Sequence, residues 1–233
     1  MTFVLVHGGW HGGWCWKEVA KRLRAEGHEV FTPTLTGLGE RRHLIKAVEG
    51  PQTHVEDICN VLLFEELSDV VLVGHSYGGM IITGVASQMP DRIRTLVYVD
   101  AFVPDRDQLP ASKMSTPERA AQMTAAIQDD DTITPNGFER WTDNSETLAW
   151  LKTMCTPHPA SCFDKGVRLT GAEKQVGQRM FIKAGRNPLS PFDQFHERYR
   201  DDPQWRVHSV DALHDIMLDA PDELTRLLLE TTR

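Results

Sequence analysis

Val70-Val71-Leu72-Val73-Gly74-His75-Ser76-Tyr77-Gly78-Gly79 is the stretch whose reading decides the fold. Four consecutive apolar residues predict a strand buried on both faces, and Gly79-Met80-Ile81-Ile82 opens an amphipathic helix. Between them Gly74-x-Ser76-x-Gly78 presents a serine at a strand-to-helix turn. Such an elbow strains the serine backbone, and glycines tolerate it by removing Cβ atoms where strand and helix press together. Ser76 then stands beside the positive end of a helix dipole, where an oxyanion is stabilised. Three fixed positions in five also arise in ordinary glycine-rich turns. The strand before and the helix after favour a nucleophile elbow.

Toward the N-terminus, Phe3-Val4-Leu5-Val6 predicts a buried strand that runs into His7-Gly8-Gly9-Trp10-His11-Gly12-Gly13-Trp14. This is either a flexible loop or a preorganised set of backbone N–H groups for an oxyanion, and its place after a first central strand favours the second. His7 reads as a brace for the loop rather than a base. Residues 14–26 predict a helix closed by Gly27, with Trp14, Val19 and Leu23 on one face and Lys17, Lys21, Arg22 and Arg24 on the other. A strand over 29–33 follows, then a long loop over 34–50 with Arg41 and Arg42 on a solvated face. A helical stripe of Val55, Ile58 and Leu62, continued by Phe64 or Leu67, leads back to the elbow. Beyond it, Leu96-Val97-Tyr98-Val99-Asp100 predicts a strand ending in an acid, at the edge where α/β sheets bind ligands.

The alternation stops near residue 103. Residues 104–175 read as an inserted helical cap on a core of 1–103 and 176–233. Thr116-Pro117-Glu118 starts one of its helices and residues 139–154 supply another. Met114, Met123, Phe138, Trp141, Trp150, Leu151 and Met154 either line a pocket or form the cap's own core. Alternation resumes with Met180-Phe181-Ile182-Lys183, a loop over 184–191, a helix through Arg200 and a strand over 205–210. His214 lies in the next loop, before a helix that starts at Pro221 and buries Leu224, Leu227 and Leu228. The fold class is therefore α/β: a mostly parallel sheet flanked by helices, with Gly9, Ser76, Asp100, Asn187 and His214 along one edge. A serine hydroxyl needs a base, and the base needs a third group to fix its tautomer. His214 is the histidine after the last strand, and the order serine, acid, histidine suits Ser76, Asp100 and His214.

Composition narrows the partners. The chain has 233 residues, 40% hydrophobic and 25% charged, with a net charge of −8. That suits one soluble domain with an insertion and offers no basic surface for nucleic acid. Neither a signal peptide nor a membrane span is legible, so a cytoplasmic protein is expected. Cys15, Cys59, Cys155 and Cys162 are too scattered for a disulfide framework. Cys155-x-x-His158-x-x-x-Cys162 has ligand-like residue types, but Pro157 and Pro159 interrupt it and no fourth ligand is near, so no metal is expected.

The segment from Phe3 to Trp14, the elbow from Gly74 to Met80, Ala101-Phe102-Val103-Pro104-Asp105 and His214 together resemble the α/β-hydrolase superfamily. Within it they resemble the plant methylesterase and hydroxynitrile lyase group, the salicylate-binding methylesterase included. The resemblance covers the core and only loosely the cap. It implies a cofactor-free esterase with Gly9 and Tyr77 N–H groups as the oxyanion hole, and it allows a homodimer. Two positions depart from the group. Asp215 stands where the lyases have a lysine, and its charge would oppose cyanide. Asn187 stands where the family keeps its aspartate. Asp100 is therefore expected to be the triad acid, with Asp193 and Asp211 as alternatives. The expected function is hydrolysis of a small or medium-sized carboxylic ester with an apolar part. The alternatives are lyase or other acyl-transfer chemistry on the same site, or small-molecule binding with vestigial hydrolysis.

Overall fold

The computed structural model describes residues 1–187 and 190–232; Pro188 and Leu189, within the loop expected over 184–191, and Arg233 lie outside them. Strands β1 (Thr2–Val6), β2 (Glu29–Phe31), β3 (Val70–His75), β4 (Ile93–Val99), β7 (Gln178–Ala184) and β8 (Trp205–Val210) form a six-stranded sheet in the order β2-β1-β3-β4-β7-β8. Every pairing in it is parallel. The short strands β5 (Thr132–Ile133) and β6 (His158–Pro159) pair antiparallel in a separate ribbon.

The period of two along each strand sends its residues to two cores. Val4, Val6, Val70, Leu72, Leu96 and Tyr98 face one cluster, where α2 (Pro51–Phe64) and α3 (Gly78–Gln88) pack. Phe3, Leu5, Val71, Val73, Val97 and Val99 face the other, closed by α1 (Lys17–Ala25) and α10 (Pro221–Leu229). Because the strands run parallel, the loops after β1, β3, β4, β7 and β8 share one edge. That edge holds the residues singled out above.

Between β4 and β7, residues 104–175 contribute no strand to the main sheet. They hold α4 (Ala111–Met114), α5 (Pro117–Ala125), the β5–β6 ribbon, α6 (Ser145–Met154) and α7 (Ser161–Asp164). Thr116 caps α5 by accepting from Arg119 N–H at 3.2 Å, as the Thr-Pro-Glu signature implies. The helix expected over 139–154 instead begins at Ser145. Asn144 Oδ1 accepts from Glu146 and Thr147 N–H at 3.0 and 2.9 Å, and this cap sets the start.

Other boundaries also shift. The strand expected over 29–33 ends at Phe31, and the loop over 34–50 contains a 3-10 helix, Gly39–Ala47. Trp14 belongs to a 3-10 turn (Gly13–Trp16) ahead of α1, and the tryptophan that turn buries is Trp16. Phe64 ends α2 78% exposed while Leu67 closes the stripe. Arg41 donates to Thr34 O at 2.8 Å and lies 3.4 Å from Asp57, so it is a tether for the loop as well as a surface charge. The helix expected to run through Arg200 is α8 (Asp193–Tyr199), and α9 (Ile216–Asp219) precedes α10.

At the elbow the backbone is crowded. A Cβ on Gly74 would sit 2.5 Å from Gly78 O, one on Gly78 2.7 Å from His7 O, and one on Gly79 would overlap the Phe102 carbonyl. Gly79→Ala should therefore cost about 1–3 kcal/mol of stability through overpacking. Gly177→Ala, where nothing lies within 4 Å, should be near neutral. Urea unfolding midpoints check both; equal midpoints would contradict the packing.

Candidate active site

Ser76 follows β3 with φ +53°, left-handed for a residue with a side chain. Its backbone is committed: its carbonyl accepts from Gly79 and Phe102 N–H, and its N–H donates to Val99 O, each at 3.1 Å. His75 and Tyr77 are buried beside it, while Ser76 itself is part exposed and lines a cavity.

The loop after β1 is pressed onto this elbow. A side chain on Gly8 would place its Cβ 2.9 Å from Ser76 Cβ and 2.8 Å from His75 Nδ1. His7 holds the loop as expected: its ring bonds Gly8 O at 2.8 Å through Nδ1 and accepts from Leu35 N–H at 3.0 Å through Nε2. Burial takes the His7 pKa down to about 3, so the ring is neutral. Neither Gly9 N–H nor Tyr77 N–H has an acceptor among the described residues. Both flank Ser76, one on the adjoining loop and one in the elbow. The Tyr77 hydroxyl is turned away, bonding His54 Nδ1 at 2.8 Å, while His54 Nε2 bonds Thr36 O at 2.8 Å.

His214 is buried in the loop after β8, with Nδ1 2.6 Å from Asp100 Oδ2. That contact leaves Nε2 as the ring's free acceptor. The ring stacks on Phe192 at 5.3 Å with its plane within 6°, and His75 lies 4.5 Å away on another side. Asp100 is fully buried at φ +40°, at the end of β4. Asn187 Nδ2 donates to its Oδ2 at 3.1 Å and Ala184 N–H to its Oδ1 at 3.2 Å. The two alternative acids are elsewhere: Asp193 pairs with Lys183 at 2.6 Å, and Asp211 is 92% exposed, 3.4 Å from Arg186.

One pair was missed in the sequence. His11 Nδ1 bonds Gly9 O at 2.7 Å, and its Nε2 bonds Asp215 Oδ2 at 3.1 Å, both groups fully out of solvent. Burial opposes the His11 charge, but Asp215 outweighs it and raises the His11 pKa. Burial likewise opposes the Asp215 charge and His11 overcomes it, lowering the Asp215 pKa. Asp215 therefore does not line the cavity, and its charge is spent on His11 rather than aimed at a leaving group. His75 Nε2 meets His214 O at 3.1 Å, and so ties the end of β3 to the loop that carries His214 and Asp215. The second histidine of the His-Gly-Gly repeat was the available signal.

Of the seven apolar residues expected either to line a pocket or to fill the insertion, Met123 lines the cavity, Trp141 is buried and walls a neighbouring hollow, Met114 and Leu151 are buried in packing, and Trp150 is exposed. Cys155 stands apart from His158 and Cys162, whose ligand atoms lie within 4.8 Å of each other and of His54. His158 Nδ1 accepts from Trp10 N–H at 3.2 Å and both His54 nitrogens are engaged, while His158 Nε2 is buried without a hydrogen-bond partner.

A parallel sheet whose carboxyl edge carries both a left-handed Gly-x-Ser-x-Gly serine and a buried His–Asp pair has the architecture of an α/β hydrolase. The profile described as "Alpha/beta hydrolase family" matches residues 3–227, and the chain belongs to that family. It is 42% identical to a carbendazim hydrolyzing esterase of Nocardioides sp. (strain SG-4G), over 97% of this chain and 98% of that protein. It is 27% identical to methylesterase 3 of Arabidopsis thaliana, over 97% of this chain and 94% of that one. Among solved structures, an extracellular alpha/beta-hydrolase from a Paenibacillus species, described as homologous to tobacco salicylic acid binding protein 2, superposes with a TM-score of 0.83 at 22% identity. That match covers 99% of this chain and 98% of the other. No described helix is long and apolar enough to cross a membrane.

The buried histidines set a pH dependence of stability. Burial lowers the pKa of His7 to about 3, of His54 to about 4, and of His75 and His158 well below 6.5. Unfolding frees these rings to take up protons below about pH 6.5, so stability is present above that pH and is lost as pH falls toward 4. Each adds about 1.4 kcal/mol per pH unit. The His11–Asp215 pair opposes little in this window. The raised His11 pKa keeps its contribution until pH climbs past that value, and the lowered Asp215 pKa keeps its own above the ordinary carboxylate range. Denaturant melts between pH 7.5 and 4.5 should show uptake of more than two protons on unfolding. A flat profile would contradict the neutral, buried assignment.

Proposed function

We propose that this chain is a serine carboxylic-ester hydrolase acting on a small or medium-sized ester with an apolar part. The observation that carries the reading is Ser76 at its left-handed elbow, opening into a largely apolar cavity on the edge where His214 Nδ1 meets Asp100. The two esterase-named relatives support it.

In this reading Ser76 Oγ attacks the ester carbonyl as His214 Nε2 takes its proton. Asp100 keeps the other ring proton on Nδ1 and stabilises the imidazolium that forms. The N–H groups of Gly9 and Tyr77 donate to the oxygen that becomes negative, in a site preorganised by the His7 and His11 hydrogen bonds. The intermediate collapses, His214 returns the proton to the departing alcohol, and water then releases the acyl group by the same steps. Residues 104–175 act as the cap that supplies the apolar walls, among them Met123, Ile133 and Phe163. Four free cysteines fit action in the reducing cytoplasm.

Turnover of p-nitrophenyl esters tests the assignment. Ser76→Ala and His214→Ala should each lose about a thousandfold or more, and the double variant little beyond either single one. Asp100→Asn should approach a loss of about four orders of magnitude with little change in Tm. Asn187→Ala, which removes one donor to Asp100, should have a modest effect. Additive losses in the double variant, or near-normal turnover by Asp100→Asn, would sink the shared machinery.

A further inference from the structure

The cavity that Ser76 lines is mostly apolar, with Trp10, Phe102, Ile133 and Phe192 among its walls, yet Arg119 from α5 also lines it. No carboxylate or carbonyl among the described residues accepts from the Arg119 guanidinium. Arg94, Arg186, Arg198 and Arg226 each have a carboxylate within 3 Å, and arginines without one, such as Arg42, Arg106 and Arg168, are exposed to solvent, whereas Arg119 is part buried against the cavity. Asp164 is the one acid lining the same cavity, and it is exposed.

Arg119 also walls a second hollow, shared with Gln122, Asn136 and Arg140 and containing no acid in its lining. Arg140 Nε is buried without a partner there, and its nearest carboxylate, on Glu139, is 3.9 Å away. Burial, then Arg140, pulls the Arg119 pKa below its ordinary value against a smaller pull from Asp100. Two arginines converging without a counter-charge are costly unless an anion completes them, and the planar guanidinium fork matches a carboxylate.

We propose that Arg119, backed by Arg140, is an anion subsite of the ester cavity, and that the preferred substrate is a half-ester: an apolar body with its scissile ester at Ser76 and a free carboxylate on Arg119. This rests on the hydrolase reading above. Hydrolysis consumes one water and gives the diacid and the alcohol.

The test compares monomethyl suberate with dimethyl suberate, alike in length and differing in the distal charge. The wild type should prefer the monoester in kcat/KM by about tenfold. Arg119→Gln should lose more on the monoester than on the diester by the same factor, in KM rather than kcat, and Arg119→Lys should recover part of the difference. Calorimetry with suberate supplies a second readout that needs no turnover, with binding expected to weaken in Arg119→Gln and at high salt. If both esters turn over equally well and Arg119→Gln moves them together, the anion subsite is overturned while the hydrolase stands. If neither ester turns over but suberate binds through Arg119, the subsite stands and the hydrolase reading falls. If there is neither turnover nor binding, both fall.

Discussion

Everything at the working edge of this protein depends on how closely three backbone segments approach one another. The loop after β1, the elbow after β3 and the turn after β4 meet where Gly8, Gly74, Gly78 and Gly79 have no room for a side chain. That closeness holds Ser76 at φ +53°, because its N–H and carbonyl are claimed by Val99, Gly79 and Phe102 before its side chain has any say. Strain at a single residue persists only when the surroundings over-determine it. Here they do: the helix of one element, the strand of a second and the turn of a third all bond to the same peptide groups.

A second layer lies behind the first and is polar. His7, His11 and His75 contact the reacting edge from the protein side, and each binds a backbone carbonyl of a loop rather than a ligand. The loop after β1 is anchored by Trp10, which stacks on Trp141 and Phe163, and its glycine stretches are fixed by these hydrogen bonds. Breaking a buried pair such as His11–Asp215 leaves an uncompensated charge, which makes these links stiff. Through His11 and Asp215, the loop after β1 and the loop after β8 are tied to one another although they are more than 200 residues apart in the chain, and His75 ties the end of β3 to the same His214 loop.

Much of this was legible in the sequence, and what was not has a common cause. The unbroken apolar run of β3, the Gly-x-Ser-x-Gly turn and the strand–helix alternation are local signals, and they placed the sheet and its edge correctly. Cap positions such as Asn144 were readable in principle but were overridden by the apolar residues around them. The His11–Asp215 pair and the freedom of Arg119 were not readable, because each depends on what residues distant in the chain supply or fail to supply. Asp215 shows the limit most clearly. In the sequence it follows His214 and reads as a charge aimed at a leaving group, whereas in the fold its carboxylate is bonded to a different histidine, His11.

The arrangement of Asp100 and Asn187 follows from the same topology. β4 and β7 are hydrogen-bonded neighbours, with Val99 opposite Ile182, so their carboxyl ends deliver side chains to one place. Asp100 N–H bonds Ile182 O at 2.7 Å and its φ of +40° turns the carboxylate across the end of β7 toward the loop after β8. Asn187, arriving from the neighbouring strand end, meets the same Oδ2 that His214 meets. A carboxylate in this spot needs donors for its remaining lone pairs if it is to stay charged without water. Asn187 and the Ala184 N–H supply them. The amide on one strand end and the acid on the next thus converge on one oxygen, Asp100 Oδ2, which meets His214 Nδ1 while Asn187 Nδ2 donates to it.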